Sequence, residues 1–160
     1  MKAIRLMVRS AAAAVLVWMA ALAVIVGGNS GCPTISGSLG LSGGNEVPPN
    51  GSDGSGTGIY ELSADGTELR FDITASGLTG PVTAAHFHNA ETGSNGPVVL
   101  NLAPFLTEVN GMVTVEGTSL LADWSIDNVA EEIQAGRIYV NLHTANFPNG
   151  EIRGLVVVTE

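Results

Sequence analysis

The stretch GIYELSADGTELRFDIT, residues 58–74, decides the fold class of this chain. In its second half Leu69, Phe71 and Ile73 alternate with polar residues, so one face of an extended segment is apolar and the other is polar. This period of two is typical of a strand in an antiparallel sheet with one buried face. The dipeptide Asp65-Gly66 between the two halves is a strong signal for a tight turn. The stretch therefore predicts a β-hairpin.

Outward from this hairpin, short apolar segments alternate with turns rich in Gly, Pro, Asn and Ser. The 160 residues suggest a single domain. Six of the nine residues 50–58 are Gly or Ser, which predicts a mobile loop. Many short strands with glycine-rich turns predict an all-β, antiparallel sandwich or barrel. Further strands are expected at Leu39–Leu41 and over residues 82–88, 97–102, 112–116, 138–143 and 152–158.

The period changes once, between residues 125 and 136. Four apolar residues there recur at helical spacing, which predicts one short helix. Ser125 or Asp127 is the expected cap at its start, and Gly136 is expected to end it. The fold prediction is thus an all-β domain that contains one short helix.

The N-terminus has the layout of an export signal. Lys2, Arg5 and Arg9 precede an uninterrupted apolar run over residues 11–26, and small or polar residues follow. Sixteen apolar residues are short for a membrane span, which needs about 20. We predict a signal peptide over residues 1–31, a tether over 32–38 and a domain over 39–160. The protein would be exported, either held in the cell envelope or secreted.

Cys32 is the only cysteine and stands directly behind the small residues of this segment. The arrangement resembles a bacterial lipoprotein signal, in which the cysteine is lipidated and becomes the mature N-terminus. Asn29 departs from that pattern, because an apolar residue is usual three positions before the cysteine. Two alternatives stay open: ordinary cleavage that leaves a free thiol, and an uncleaved membrane anchor. Acyl chains on the cysteine would anchor the protein to a membrane surface without spanning it.

The charge of the chain excludes one class of partner. Beyond residue 32 the sequence has three arginines, no lysine and all 15 acidic residues, a net charge of −12. Proteins that bind nucleic acids need a basic face, because the phosphates are negatively charged. No nucleic-acid partner is therefore expected, and the acidity suits solubility outside the cytoplasm.

Several short motifs follow one another across the predicted domain. They are Leu39–Pro49 with Asn45-Glu46-Val47-Pro48-Pro49 at its centre, Gly77-Leu78, Ala84–His88, Gly93, Gly96–Val99, Gly136–Thr144 and Pro148–Gly154. In this order they resemble the CHRD family, whose domain is repeated in chordin and occurs singly in many bacterial secreted proteins. The resemblance implies a sandwich or barrel of the kind compared with immunoglobulin and copper/zinc superoxide dismutase folds. It implies no enzymatic activity, and the growth-factor binding of chordin is not transferred to a single copy.

The three histidines of the chain, His86, His88 and His143, all fall within these motifs. His86 and His88 are two residues apart, so in a strand they share a face, with Cβ atoms roughly 6–7 Å apart. Neutral imidazoles suit copper and zinc, and His143 would add a third ligand if its strand lay nearby. The alternative is structural, with the imidazoles hydrogen-bonded to backbone carbonyls. Dismutase catalysis is not expected, since no second histidine and aspartate set for zinc is evident.

Five further polar residues in motif positions are interpreted as structural. Arg153 is expected to pair with Glu46 or Asp72, and no catalytic triad or phosphate loop is evident. Two functions remain open. The first is a non-enzymatic binding or structural module with an extracellular protein, glycan or matrix partner and no certain cofactor. The second is a copper- or zinc-binding protein. The five residues are Asn45, Glu46, Asn141, Glu151 and Arg153.

Overall fold

The structure is a computed structural model, and it describes residues 35–158. The predicted signal peptide and Cys32 lie outside these residues. Ten antiparallel strands form one curled sheet, a half-barrel, which confirms the all-β prediction. The strands are β1 (Ile35–Ser42), β2 (Ser55–Leu62), β3 (Glu68–Ser76), β4 (Val82–Asn89), β5 (Val98–Asn101), β6 (Leu106–Val109), β7 (Met112–Leu120), β8 (Ile138–Thr144), β9 (Ile152–Leu155) and β10 (Val157–Val158).

The strands follow the order β5-β4-β8-β9-β1-β2-β3-β7-β6 across the sheet, and β10 pairs with β1. One α-helix, α1 (Val129–Gln134), and three short 3-10 helices complete the described chain. No helix among residues 35–158 combines the length and the apolar character that a membrane crossing needs. The 3-10 helices span Gly43–Asn45, Ala103–Phe105 and Leu121–Asp123.

The predicted hairpin is confirmed as β2 and β3. Tyr60 pairs with Phe71, and Leu62 pairs with Leu69. The turn is stabilised by the carboxylate of Asp65, which accepts hydrogen bonds from the Ser63 hydroxyl at 2.6 Å and the Thr67 hydroxyl at 2.8 Å. The apolar alternation of β3 matches its burial, since every second residue is buried.

The core lies inside the curl of the sheet. Phe71 on β3 and Phe87 on β4 meet edge to face, with ring centroids 5.6 Å apart, although several strands separate them along the sheet. Phe105 contacts Phe71 at 5.1 Å, and Trp124 stacks on Phe87 at 5.1 Å. These aromatic contacts join the two halves of the curled sheet, and burial of such rings is the main stabilising contribution in a core of this kind.

The helix is shorter than the periodicity predicts, and the predicted cap is wrong. α1 begins at Val129 after Asn128, and neither Ser125 nor Asp127 caps it. The Ser125 hydroxyl instead donates a hydrogen bond to the Val98 carbonyl at 3.2 Å, which ties the preceding segment to β5. The helical spacing of the first turn is therefore overridden by a tertiary contact.

The predicted mobile loop is also wrong. Residues 55–58 belong to β2, and the remainder is held by side chains. Asn50 donates hydrogen bonds to the carbonyls of Gly150 at 3.1 Å and Glu151 at 3.0 Å. The Ser52 hydroxyl donates to the Glu151 carboxylate at 2.7 Å. Composition alone does not reveal these long-range bonds.

Strand boundaries differ from the sequence prediction at three other places. β1 begins at Ile35, within the predicted tether, because residues 35–42 pair with β2 throughout. β6 was not expected, and it pairs along β7 through a tight turn after Val109. The last strand is divided at Val156, whose amide donates to the Ile138 carbonyl at 2.9 Å while its side chain is fully buried.

Candidate metal centre

The pairing of β4 with β8 brings the three histidines together. His86 lies opposite Asn141, and Ala84 lies opposite His143. His86 and His88 share the face of β4 that points away from Phe87, which is fully buried in the core. His143 occupies the same face of β8. The three residues that the sequence singles out therefore form one cluster on the outer face of the sheet.

The distances within this cluster suit a shared ion. His86 Nδ1 lies 3.3 Å from His143 Nε2. The candidate donor atoms of the three side chains all lie within 4.8 Å of one another. Tetrahedral bonds of about 2.0–2.1 Å hold their donor atoms roughly 3.4 Å apart. One pair already meets this spacing, and the third donor atom lies within 4.8 Å of both.

Two backbone carbonyls fix the orientation of the imidazoles. His88 Nδ1 lies 3.0 Å from the Gly96 carbonyl, and His143 Nδ1 lies 3.1 Å from the Pro148 carbonyl. A carbonyl only accepts, so each Nδ1 carries the proton and donates it. The Nε2 atoms of these two rings then present their lone pairs. This tautomer, fixed by a hydrogen bond at the opposite nitrogen, is the form in which histidine commonly binds metal.

Burial lowers the pKa of all three imidazoles below the ordinary value of histidine. For His86 the nearby His143 and His88 lower the pKa further, since neighbouring positive charges repel. For His88 and His143 the carbonyls described above act in the opposite direction without cancelling the effect of burial. The neutral form of each imidazole is therefore favoured near pH 7. Because His143 Nε2 is unprotonated, the 3.3 Å contact makes His86 Nδ1 its hydrogen-bond donor, and that proton would have to leave before both atoms bind one ion.

Tyr139, which the sequence analysis does not single out, belongs to this region. Its ring stacks on His88, with centroids 4.8 Å apart and an angle of 5° between the planes. Its hydroxyl accepts a hydrogen bond from the Gly96 amide at 3.1 Å. The signal for it was present, because Tyr139 stands four residues before His143 on β8 and so shares its face.

Arg153 pairs with Glu46, which confirms one of the two predicted partners. Its Nη2 lies 3.0 Å from Glu46 Oε2, and its Nε donates to the same oxygen at 3.1 Å. Both side chains are buried. Burial raises the pKa of the Glu46 carboxyl, and the adjacent guanidinium opposes that rise. Asp72 instead lies opposite Glu116 on the exposed side of β3.

The other motif residues connect loops to the sheet. Asn45 donates to the carbonyls of Gly40 at 3.2 Å and Arg153 at 3.0 Å. Glu151 is fully buried and accepts hydrogen bonds from Ser52, Thr79 and Thr144. Burial alone would raise the pKa of Glu151, but these hydrogen bonds together lower it below the ordinary value.

Asn141 lies between the ion pair and the histidines, opposite both His86 and Arg153. Its Oδ1 is buried without a hydrogen-bond partner, and so are Glu46 Oε1 and His88 Nε2. Gly150 packs against Glu46 and Asn141 and has a φ of 126°, a backbone conformation that favours glycine. A Cβ at Gly150 would lie 2.5 Å from Glu46 Oε1. The carboxylate therefore occupies the space that a side chain would take.

The comparison with family models matches the CHRD domain over residues 38–156, which covers nearly all of the described chain. Comparisons with curated proteins and with solved structures gave no match. The match includes every histidine of the cluster, the Arg153–Glu46 pair and all strands of the sheet except β10 and the first three residues of β1. The chain belongs to the CHRD domain family.

Proposed function

We propose that this protein is a non-enzymatic CHRD module, presented outside the cytoplasm, that binds a copper or zinc ion through His86, His88 and His143. The observation that carries this proposal is the meeting of three neutral imidazoles from two strands, with donor atoms within 4.8 Å of one another. Two of the rings, those of His88 and His143, are already held in the tautomer that leaves Nε2 unprotonated.

The chemistry of the donors supports copper or zinc over harder cations. All three donors are imidazole nitrogens, which suit zinc and copper, whereas magnesium and calcium require oxygen ligands. The carboxylate of Glu46, which is buried near Asn141, is engaged by Arg153. A bound ion would be held by three protein ligands, all of them imidazoles.

Metal analysis of untagged protein tests the proposal. We expect about one equivalent of copper or zinc per chain, retained against a weak chelator and lost in the double variant His86→Ala, His88→Ala. A matched control is Asp72→Asn, Glu116→Gln, which removes an exposed carboxylate pair from the opposite half of the sheet. The proposal would be contradicted if the control variant lost as much metal as the histidine variant, or if the wild-type protein retained none.

Export and lipid attachment are part of the same proposal. They are supported by the basic, apolar and small-residue order before Cys32. A lipidated Cys32 would hold the domain at a membrane surface. We expect wild-type protein to partition into the detergent phase and a Cys32→Ser variant to remain in the aqueous phase. Partitioning of both proteins into the detergent phase would favour an uncleaved anchor instead.

A second candidate function is binding of an extracellular protein, glycan or matrix component, and one observation favours it. A groove of about 820 Å³ lies beside the cluster, bordered by Val47, Pro49, Thr92, Tyr139 and Arg153 among others. We expect a pull-down from the native envelope to recover a partner with wild-type protein, and Thr92→Arg at the rim to abolish that recovery. A partner that Thr92→Arg retains fully would exclude this groove.

A further inference from the structure

We infer that Arg153 is a positioning residue for the proposed metal site, which holds His88 in its binding orientation without contacting the ion. This inference rests on the proposed function. Two series of contacts lead from the Arg153 guanidinium to the His88 imidazole. The first passes through the backbone of residues 94–96, and the second passes through Tyr139.

The first series fixes the carbonyl that orients His88. Arg153 Nη1 donates to the Ser94 carbonyl at 3.2 Å, and Nη2 donates to Asn95 Oδ1 at 2.5 Å. Gly96 follows Asn95 in the chain, and its carbonyl accepts the Nδ1 proton of His88. A Cβ at Gly96 would lie 1.8 Å from the Asn89 carbonyl oxygen, so only glycine allows this close approach.

The second series fixes the ring plane of His88. The Tyr139 ring stacks on the imidazole, and the Arg153 guanidinium carbon lies 4.1 Å from the centroid of the same tyrosine ring. A guanidinium over an aromatic face is a favourable contact that also restricts the ring. The Tyr139 hydroxyl also accepts a hydrogen bond from the Gly96 amide, which links this series to the first.

The shape of arginine explains why this residue type is required. A guanidinium offers five donors in a rigid plane, whereas the lysine ammonium is a point charge. Arg153 uses this plane to contact Glu46, Ser94 and Asn95 at once. Glu46 balances the buried charge, so the cation does not repel an incoming metal ion as strongly as a lone arginine would. The orientation of His88 therefore depends on a group outside the metal site.

The test uses an exposed member of the first series, because Arg153 variants risk misfolding. Asn95→Ala removes the bond to Arg153 and a second bond to the Val47 carbonyl at 2.8 Å. We expect about 10-fold weaker binding of Cu²⁺, in the range found for residues that orient metal ligands. The Cu²⁺ EPR spectrum should change from three coordinated nitrogens toward two. Arg153→Lys should show the same change more strongly.

The matched control is Asn128→Ala. It likewise truncates an exposed asparagine and removes its hydrogen bond to Glu132, but it lies beside α1 and not in either series of contacts. It should leave both affinity and EPR spectrum unchanged. Unaltered binding and spectrum in Asn95→Ala and a folded Arg153→Lys would overturn the inference while the proposed function stood. No binding by wild-type protein would overturn the proposed function. In that case ¹⁵N NMR of His88 still decides positioning, since Asn95→Ala should release its Nδ1 proton to fast exchange.

Discussion

Replacement of Glu151 by glutamine should measure how strongly one buried carboxylate holds three segments of the domain together. The carboxylate accepts bonds from the Ser52 hydroxyl at 2.7 Å, the Thr79 amide at 2.8 Å, the Thr79 hydroxyl at 2.9 Å and the Thr144 hydroxyl. Bonds to a charged group contribute about 1.5–3 kcal/mol, against about 1 kcal/mol for neutral ones. The amide oxygen retains two acceptor positions, and the hydroxyls at the other position can rotate to accept from the new amide.

The free energy of unfolding at pH 7 should therefore fall by about 2–3 kcal/mol in Glu151→Gln, because four charge-assisted bonds become neutral. For a domain of this size the thermal midpoint should fall by about 8 °C. Urea unfolding followed by tryptophan fluorescence measures the difference, with the exposed Glu116→Gln as a control that should change by less than about 0.5 kcal/mol.

The same variant predicts a pH dependence of defined sign. Because the pKa of Glu151 is lowered in the folded protein, its contribution is present above the unfolded value of about 4.3 and is lost as the pH falls below it. The difference between wild type and Glu151→Gln should shrink on acidification from pH 6 to pH 3. Equal stability at pH 7, or a difference that grows toward low pH, would refute the reasoning.

Three further predictions concern the core, a corner and an ion pair. Phe71→Ala should lower the free energy of unfolding in urea by about 3–5 kcal/mol, because three aromatic rings meet there. Gly150→Ala should cost about 1–3 kcal/mol in the same assay, since its backbone is strained for other residues and Glu46 lies in the way. Arg137 lowers the pKa of Glu132 to about 2, so Glu132→Gln should destabilise the protein near pH 7 and lose its effect toward pH 2, as acid titration of unfolding would show.

Local pattern predicts the parts of this fold whose partners are close in the sequence. The β2–β3 hairpin follows from alternation and from Asp65-Gly66, because both determinants lie within 17 residues. The predicted helix begins too early in the chain, because the Ser125 side chain bonds to Val98, 27 residues away. The Gly/Ser stretch looked mobile because its ties to Gly150 and Glu151 span about a hundred residues. Periodicity carries no information about such pairings.

The candidate site shows the same division. That His86 and His88 share a face follows from their spacing alone. That His143 joins them depends on β4 lying next to β8. His86 and His143 are 57 positions apart in the chain, and strand order cannot be derived from composition or spacing. The carbonyls of Gly96 and Pro148 are invisible to residue-type arguments, since every residue has one. The sequence therefore identifies the ligand candidates but not what orients them.

The two outermost strands of the sheet, β5 and β6, are each only four residues long. A long exposed strand offers unpaired amides and carbonyls on which another chain can polymerise. Across residues 35–158 the curled sheet therefore has two short edge strands instead of a long one. The edge strand β6 also carries an exposed acidic side chain, Glu108. Concentrated protein should consequently resist fibril growth, even though residues 35–158 contain no cysteine that could crosslink these edge strands.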